Sequence, residues 1–251
     1  MTEKIQKILA NLGLGSRRKI EQVIISGMLF INGLKVNIGD RFILEKIKTI
    51  YFHKKFYYFK KKLKKKIRML IYNKPVGEIC TNYDINNRDT VFKSLPLLTN
   101  QKWISIGRLD LNTSGILLFT NCGNLAHTLM HPSSNLEREY KVRVFSLNNS
   151  ESKINLLKQG RILKDGFAKF NIIKYESGKG KNKWFTVTLL EGRNREVRRL
   201  WQSVNCSVSK LIRIRYGNIV LPPDLKLGHW KELKYLDIHN LIKISSKKKY
   251  L

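Results

Sequence analysis

Apolar residues recur at helical spacing from the start of the chain. Ile5, Ile8, Leu9 and Leu12 fall on one face of a predicted helix, and Gly13 and Gly15 end it. Ser16 is placed to cap a second helix carrying Ile20, Val23 and Ile24, closed by Gly27. Then Leu29-Phe30-Ile31 and Leu34-Lys35-Val36 flank Asn32-Gly33, a pair that supplies the positive φ angles of a type I′ hairpin turn. Gly39-Asp40 predicts another turn before Phe42-Ile43-Leu44. Two short helices and a small sheet make a module that is marginal alone by size.

From Met69 onward the pattern predicts strands alternating with short helices. Met69–Tyr72 reads as a strand ending at Asn73-Lys74-Pro75. Trp103–Ile106 and Ile116–Phe119 are apolar strands flanking a polar loop. Tyr140–Val144 and Trp184–Leu189 alternate with period 2, and Val197, Leu200, Trp201 and Val204 give a helix. The expected fold class is α+β with mainly antiparallel strands. The expected division is a module over 1–48, a basic linker over 49–66 and a larger domain over 67–251. No apolar run is long enough to span a membrane, and the N-terminus lacks an apolar signal core, so a soluble, cytoplasmic protein is expected.

Charge sharpens this picture. The 251 residues hold 49 Lys and Arg against 18 Asp and Glu, a net charge of +31. Such an excess points to a polyanion, nucleic acid before an anionic membrane. Residues 46–77 contain no acid, and Tyr51, Phe52, Phe56, Tyr57, Tyr58 and Phe59 interleave with their lysines. That stretch reads either as a phosphate-contacting strap with rings for stacking or as a solvated linker. Scarce carboxylates argue against two-metal nucleases and paired-carboxylate glycosidases. Cys80, Cys122 and Cys206 are widely spaced and include no C-x-x-C pair, which fits a reducing compartment. His127 and His131 are four apart but lack supporting ligands, so no metal is expected.

Three segments hold candidate chemistry. In Gly107–Gly115, Asp110 sits two residues after Arg108 and between two leucines. It is either an ordinary turn residue or a carboxylate kept ionised beside a guanidinium and available as a nucleophile. Tyr140 shares a strand face with Val142 and Val144, as a core tyrosine or as a ring beside a substrate base. Glu191–Arg199 packs four arginines into seven positions, 193–199. Arg198, three before Trp201, borders the buried stripe and is placed to reach an interior carboxylate, while Arg193, Arg195 and Arg199 suit phosphates. Lys210, Arg213 and Arg215 form a second basic strand.

At these segments the chain resembles a known family. GRLDLNTSGILLFTN (Gly107–Asn121) resembles the catalytic-aspartate motif G-R-L-D-x-x-T-x-G-L of ribosomal RNA pseudouridine synthases of the small-subunit-A and large-subunit-B type. EREYKVRV (Glu137–Val144) is similar to their tyrosine motif, EGRNREVRRLW (Glu191–Trp201) to their third motif, and SKLIRIRYG (Ser209–Gly217) to the strand that follows. The N-terminal segment resembles the S4-like RNA-binding module of these enzymes, with Met28 where that module often has a basic residue.

The resemblance implies an enzyme that isomerises a uridine without metal or other cofactor. It implies that Asp110 initiates cleavage of the C1′–N1 bond, that Tyr140 stacks on the flipped uracil and that Arg198 ion-pairs with Asp110. Leu211 packs near the base, Arg108 holds the nucleotide backbone, and Arg193, Arg195 and Arg199 bind substrate. Arg17, Arg18, Lys19, Arg213 and Arg215 are the expected RNA contacts. NREVRRLW resembles the large-subunit-B branch more than the other, which favours a uridine in 23S ribosomal RNA, free or in an assembling large subunit, over one in 16S. A monomer with no membrane partner is expected. The competing readings are a non-catalytic RNA-binding assembly factor and a DNA-binding protein, the latter disfavoured by the lack of a helix-turn-helix or zinc-finger pattern.

Overall fold

The computed structural model describes residues 2–58, 66–99, 101–145, 150–178 and 180–247. Contacts divide the chain into two units, residues 1–67 with 97–102, and 68–96 with 103–251. Lys60, Lys61, Lys62, Lys64 and Lys65 of the basic stretch lie outside the described residues, as does Phe59.

In the first unit a short strand pair, Glu3–Lys4 with Arg41–Phe42, accompanies α1 (Ile5–Asn11) and α2 (Arg17–Ile25). Ser16 caps α2 as expected, its hydroxyl accepting from the Lys19 N–H. Four antiparallel strands follow: β1 (Leu29–Ile31), β2 (Leu34–Lys35), β3 (Thr49–Phe52) and β4 (Lys55–Tyr58), in the order β2-β1-β3-β4. Asn32 and Gly33 take φ of 51° and 82° in the first hairpin turn. Ile5, Leu9, Ile20, Leu29, Ile31 and Ile50 are fully buried between helices and sheet. The linker expected over 49–66 is therefore corrected for residues 49–58, which form a hairpin of two strands joined at His53-Lys54. Ile50 and Phe52 alternate inward to the same core, and the surrounding lysines had masked that period.

The second unit is built on one sheet, antiparallel but for one pair among the described residues. Its strands are β5 (Met69–Lys74), β6 (Ile104–Ile106), β7 (Ser114–Thr120), β8 (Arg138–Phe145), β9 (Ile172–Ser177), β10 (Asn182–Leu189), β11 (Ser207–Tyr216), β12 (Ile219–Val220) and β13 (Trp230–Glu232). The order is β9-β10-β8-β11-β7-β5-β13, with β12 beside β11 and β6 beside β7. Helices α3 (Gly123–Met130) and α6 (Tyr235–Lys247) bury Leu125, Leu129, Ile238 and Leu241 against Met69, Ile71, Ile116 and Leu118. Helix α4 (Ser150–Gln159) lies against β9, and the short helix α5 (Glu196–Gln202) packs Trp201 on Phe185 of β10, with ring centroids 5.0 Å apart. No helix among the described residues is long and apolar enough to cross a membrane.

The parallel pair is the joint that matters for the site. β7 meets β11 through Ile212 with Ser114 and Arg213 with Gly115. Gly115 has φ +99°, and a Cβ there would lie 2.2 Å from the Arg213 carbonyl oxygen. Only glycine lets the two backbones approach this closely. Gly107 also has positive φ but opens onto free space. Gly107→Ala is therefore expected to cost about 1–2 kcal/mol of left-handed strain. Gly115→Ala adds a backbone collision and is expected to cost roughly 3 kcal/mol or more. Urea unfolding of both variants checks this, and equal losses would contradict the close-approach account.

Candidate active site

The polar loop before β7 is held through its backbone. Leu109 donates its N–H to Cys80 Sγ at 3.4 Å, and the same thiol donates back to the Leu109 carbonyl at 3.3 Å. The Asp110 carbonyl accepts from the Thr113 N–H at 3.1 Å, and the Leu111 carbonyl from the Gly77 N–H at 2.9 Å. Arg198 Nη2 donates to the Asn112 carbonyl at 2.9 Å, and Lys74 Nζ to the Thr113 carbonyl at 3.0 Å. Five consecutive carbonyls are thus each matched by one donor. Lys74 is fully buried, and that burial pulls its ammonium pKa down, opposed by the nearby Cys80, Glu78 and Asp110 side chains. The Asp110 carboxylate itself accepts no hydrogen bond from the described residues. It lines a cleft of about 1070 Å³.

The sheet forms the cleft's wall. Tyr140 on β8 pairs with Arg213 on β11, and Val142 with Leu211. Partners in register share a face, so Tyr140, Arg213 and Leu211 converge, and all three line the cleft with Asp110 and Arg108. Arg138, two residues before Tyr140, lines it too, its guanidinium bonded to the Leu136 and Leu190 carbonyls.

The expectation that Arg213 and Arg215 form one basic RNA-contacting strand is corrected here. A register shift at Ile214 sets Arg213 opposite Tyr140 and Arg215 opposite Glu139. The two arginines therefore leave opposite faces. Arg213 is 2 % exposed, donates Nε to the Ile116 carbonyl at 2.8 Å, and leaves Nη2 without a partner. Arg215 is held by Glu137 and Glu139 at 2.9 and 2.6 Å.

The arginine-rich segment divides by function. Arg193 lines the cleft, but its guanidinium is engaged by Glu191 and the Phe167 carbonyl. Arg199 makes a two-pronged pair with Asp165 at 2.7 and 2.8 Å and lies outside the cleft lining. Arg195 lines the cleft, is exposed and takes φ 51°. Arg198 makes no ion pair with Asp110. Its guanidinium is spent on the Val208 and Asn112 carbonyls, so it fixes the loop's backbone instead of the carboxylate. Burial and the neighbouring Arg195 lower its pKa, while the charge of Asp110 opposes the shift. Arg17, Arg18 and Lys19 are exposed on the first turn of α2 in the other unit.

The sequence profile of the family described as RNA pseudouridylate synthase matches residues 68–203, which contain the pinned loop, the tyrosine strand and the arginine segment. The chain belongs to that family. It is 53 % identical over 99 % of its length to "Ribosomal large subunit pseudouridine synthase B" of Buchnera aphidicola subsp. Acyrthosiphon pisum, covering 99 % of that protein. It is 48 % identical over 96 % of its length to the Salmonella typhi protein of the same name, covering 82 % of it. Among solved structures, one titled "Crystal structure of pseudouridylate synthase" superposes with a TM-score of 0.63 at 26 % identity, covering 95 % of this chain and 99 % of that one.

Sequence reasoning missed several residues that line this synthase's cleft or hold its loop. Lys74 had a signal in its position, a lone cation ending an apolar strand before proline. Arg138 had one in its period-2 relation to Tyr140. Cys80 had none, since its role is a contact with a loop 29 residues away.

Glu196 was also missed. It is 3 % exposed, lines the cleft and accepts from the Arg193 N–H at 3.0 Å. Burial raises its pKa from 4.5 to about 7; the Arg193 N–H opposes this and Glu191 adds to it. The fold therefore holds a proton on Glu196 that the unfolded chain releases between pH 4.5 and about 7. Stability from this group is full below that window and is lost as pH rises through it. Glu196→Gln keeps the acceptor and removes the titration. The variant's unfolding free energy is expected to gain on the wild type's across this window, and parallel pH profiles would contradict the assignment.

Proposed function

We propose that the protein isomerises one uridine of 23S ribosomal RNA to pseudouridine, with Asp110 as the reacting carboxylate. The observation that carries this reading is the geometry of the loop: a backbone fixed at every carbonyl from 109 to 113 presents a carboxylate with no hydrogen-bond partner among the described residues to a cleft walled by Tyr140. The names of the relatives support the large-subunit target.

In this reading the uridine leaves its stack and enters the cleft. Unstacking costs on the order of a few kcal/mol, least for an unpaired base. Tyr140 stacks on the uracil and Leu211 packs at its edge. Asp110 initiates cleavage of the C1′–N1 bond, the uracil rotates, and C1′ rejoins through C5. The C5 proton is lost and N1 gains one, so no oxidant, water or cofactor enters the balance. Tyr140 is the candidate base for that proton. Thr113 Oγ1 and Arg213 Nη2 are buried cleft atoms without partners and are the donors available to the uracil carbonyls. Arg198 acts as a positioning residue through the Asn112 carbonyl.

Arg108 and Arg195, both exposed, are left for phosphates. The first unit serves as an S4-like RNA-binding module. Arg17, Arg18 and Lys19 crowd a helix N-terminus that has no acid in its first turn, an arrangement suited to phosphate. The enzyme works as a monomer in the cytoplasm, on free RNA or on an assembling large subunit.

Asp110→Ala is expected to abolish pseudouridine formation in a 23S transcript while leaving RNA affinity within about threefold, since phosphate contacts dominate binding. Chemical mapping of pseudouridine together with a filter-binding titration reads both. Retained turnover in the variant would overturn the assignment of Asp110. A modified position found only in 16S transcripts would overturn the target.

A further inference from the structure

The sheet of the first unit carries a row of rings that its core does not use. Ile50 and Phe52 of β3 point inward, which turns Thr49 and Tyr51 outward. Strand register then sets four residues side by side across the sheet: Lys35, Phe30, Tyr51 and Phe56. Phe30 and Tyr51 have ring centroids 5.8 Å apart, and Tyr51 and Phe56 4.8 Å apart. Tyr58 adds a further ring on the same face, two residues beyond Phe56. Phe56 is 66 % exposed and Tyr58 78 %.

Adjacent exposed rings of this kind mark a binding surface. The charge around them selects the partner. Lys35 stands in this row, and Lys48 and Lys54 lie just beyond the two ends of β3; all three are exposed. Lys55 pairs with Phe52 and leaves the other face. No acid occurs between Glu45 and Glu78. A neutral apolar partner would meet the rings but leave the lysines without counter-charges. Single-stranded RNA meets both, with base faces for the rings and phosphates for the ammonium groups. A duplex offers only phosphates, because its base faces are stacked on one another.

We infer that this face binds single-stranded RNA, stacking bases on Tyr51, Phe56 and Tyr58 while the flanking lysines hold the phosphates. This is an RNA contact in addition to the cleft. It rests on the chain's membership of an RNA-modifying family and not on which uridine is modified.

The test is a fluorescence-anisotropy titration of the full chain with labelled single-stranded oligouridylate of about twelve nucleotides, and with duplex RNA of the same length. Phe56→Ala with Tyr58→Ala is expected to weaken single-strand binding roughly tenfold, since each stacked base contributes measurably. Duplex affinity and the salt dependence of binding should stay as in the wild type, because no cation is removed. Phe56→Tyr with Tyr58→Phe, which keeps both rings, should restore wild-type affinity. In a separate Tyr58→Trp chain, the indole fluorescence gained over the wild type, which already has four tryptophans, should be quenched by the oligonucleotide. Unchanged single-strand affinity in the double alanine variant, or an equal loss for the duplex, would overturn the inference. So would a Tyr58→Trp signal that the oligonucleotide leaves untouched. None of these readouts involves isomerisation, so they stand apart from the assignment of Asp110.

Discussion

Five successive carbonyls, Leu109 to Thr113, are each claimed by a donor, and the other features of the site follow from that constraint. One donor lies within the loop, and the others come from the strand end at Lys74, the turn at Gly77, the thiol of Cys80 and the helix residue Arg198. A backbone satisfied in this way has little reason to rearrange, because an alternative gives up these donors, and the buried Thr113 carbonyl alone would be left unpaired at a cost of about 1–3 kcal/mol. The side chain of Asp110 is thereby presented without any protein group needing to grip it. The close approach at Gly115 belongs to the same device, since it brings β7 against β11, whose Leu211 and Arg213 face Tyr140.

The charge of the chain is distributed less simply than its total suggests. Arg193, Arg199 and Arg215 have carboxylate partners in Glu191, Asp165, Glu137 and Glu139. Such partly exposed pairs contribute little stability each. Their effect is to orient guanidinium groups and shape the cleft's rim. In the proposed function the attraction for RNA falls instead to exposed cations such as Arg108 and Arg195, and in the further inference to the lysines around the sheet of the first unit. Arg198 and Lys74 serve neither role, for both donate to backbone carbonyls, those of Asn112 and Val208 for Arg198 and those of Pro75 and Thr113 for Lys74.

Local pattern made much of this legible. Helix caps, the Asn32-Gly33 turn and the strands over 69–74, 114–120 and 138–145 follow from periodicity and turn chemistry, which act over a few residues. What stayed hidden depends on contacts between distant segments. The bulge at Ile214 separates Arg213 from Arg215, and nothing in Leu-Ile-Arg-Ile-Arg announces it. The strands over 49–52 and 55–58 were obscured because the lysines in and around them read as linker when composition is weighed above period. Arg198 was legible as a buried-border arginine, but its true acceptors are carbonyls, which every residue carries and no sequence distinguishes.

The account's central claim is that the loop is rigid enough to fix where the carboxylate lies. Asp110→Glu keeps the charge and moves the carboxylate oxygens by one methylene. Single-turnover rates of pseudouridine formation, measured at saturating RNA, test this directly. A fixed backbone predicts a fall of about a hundredfold or more, the order expected for a misplacement near 1 Å. A rate within a fewfold of the wild type would mean that the loop adjusts, and the claim would fail.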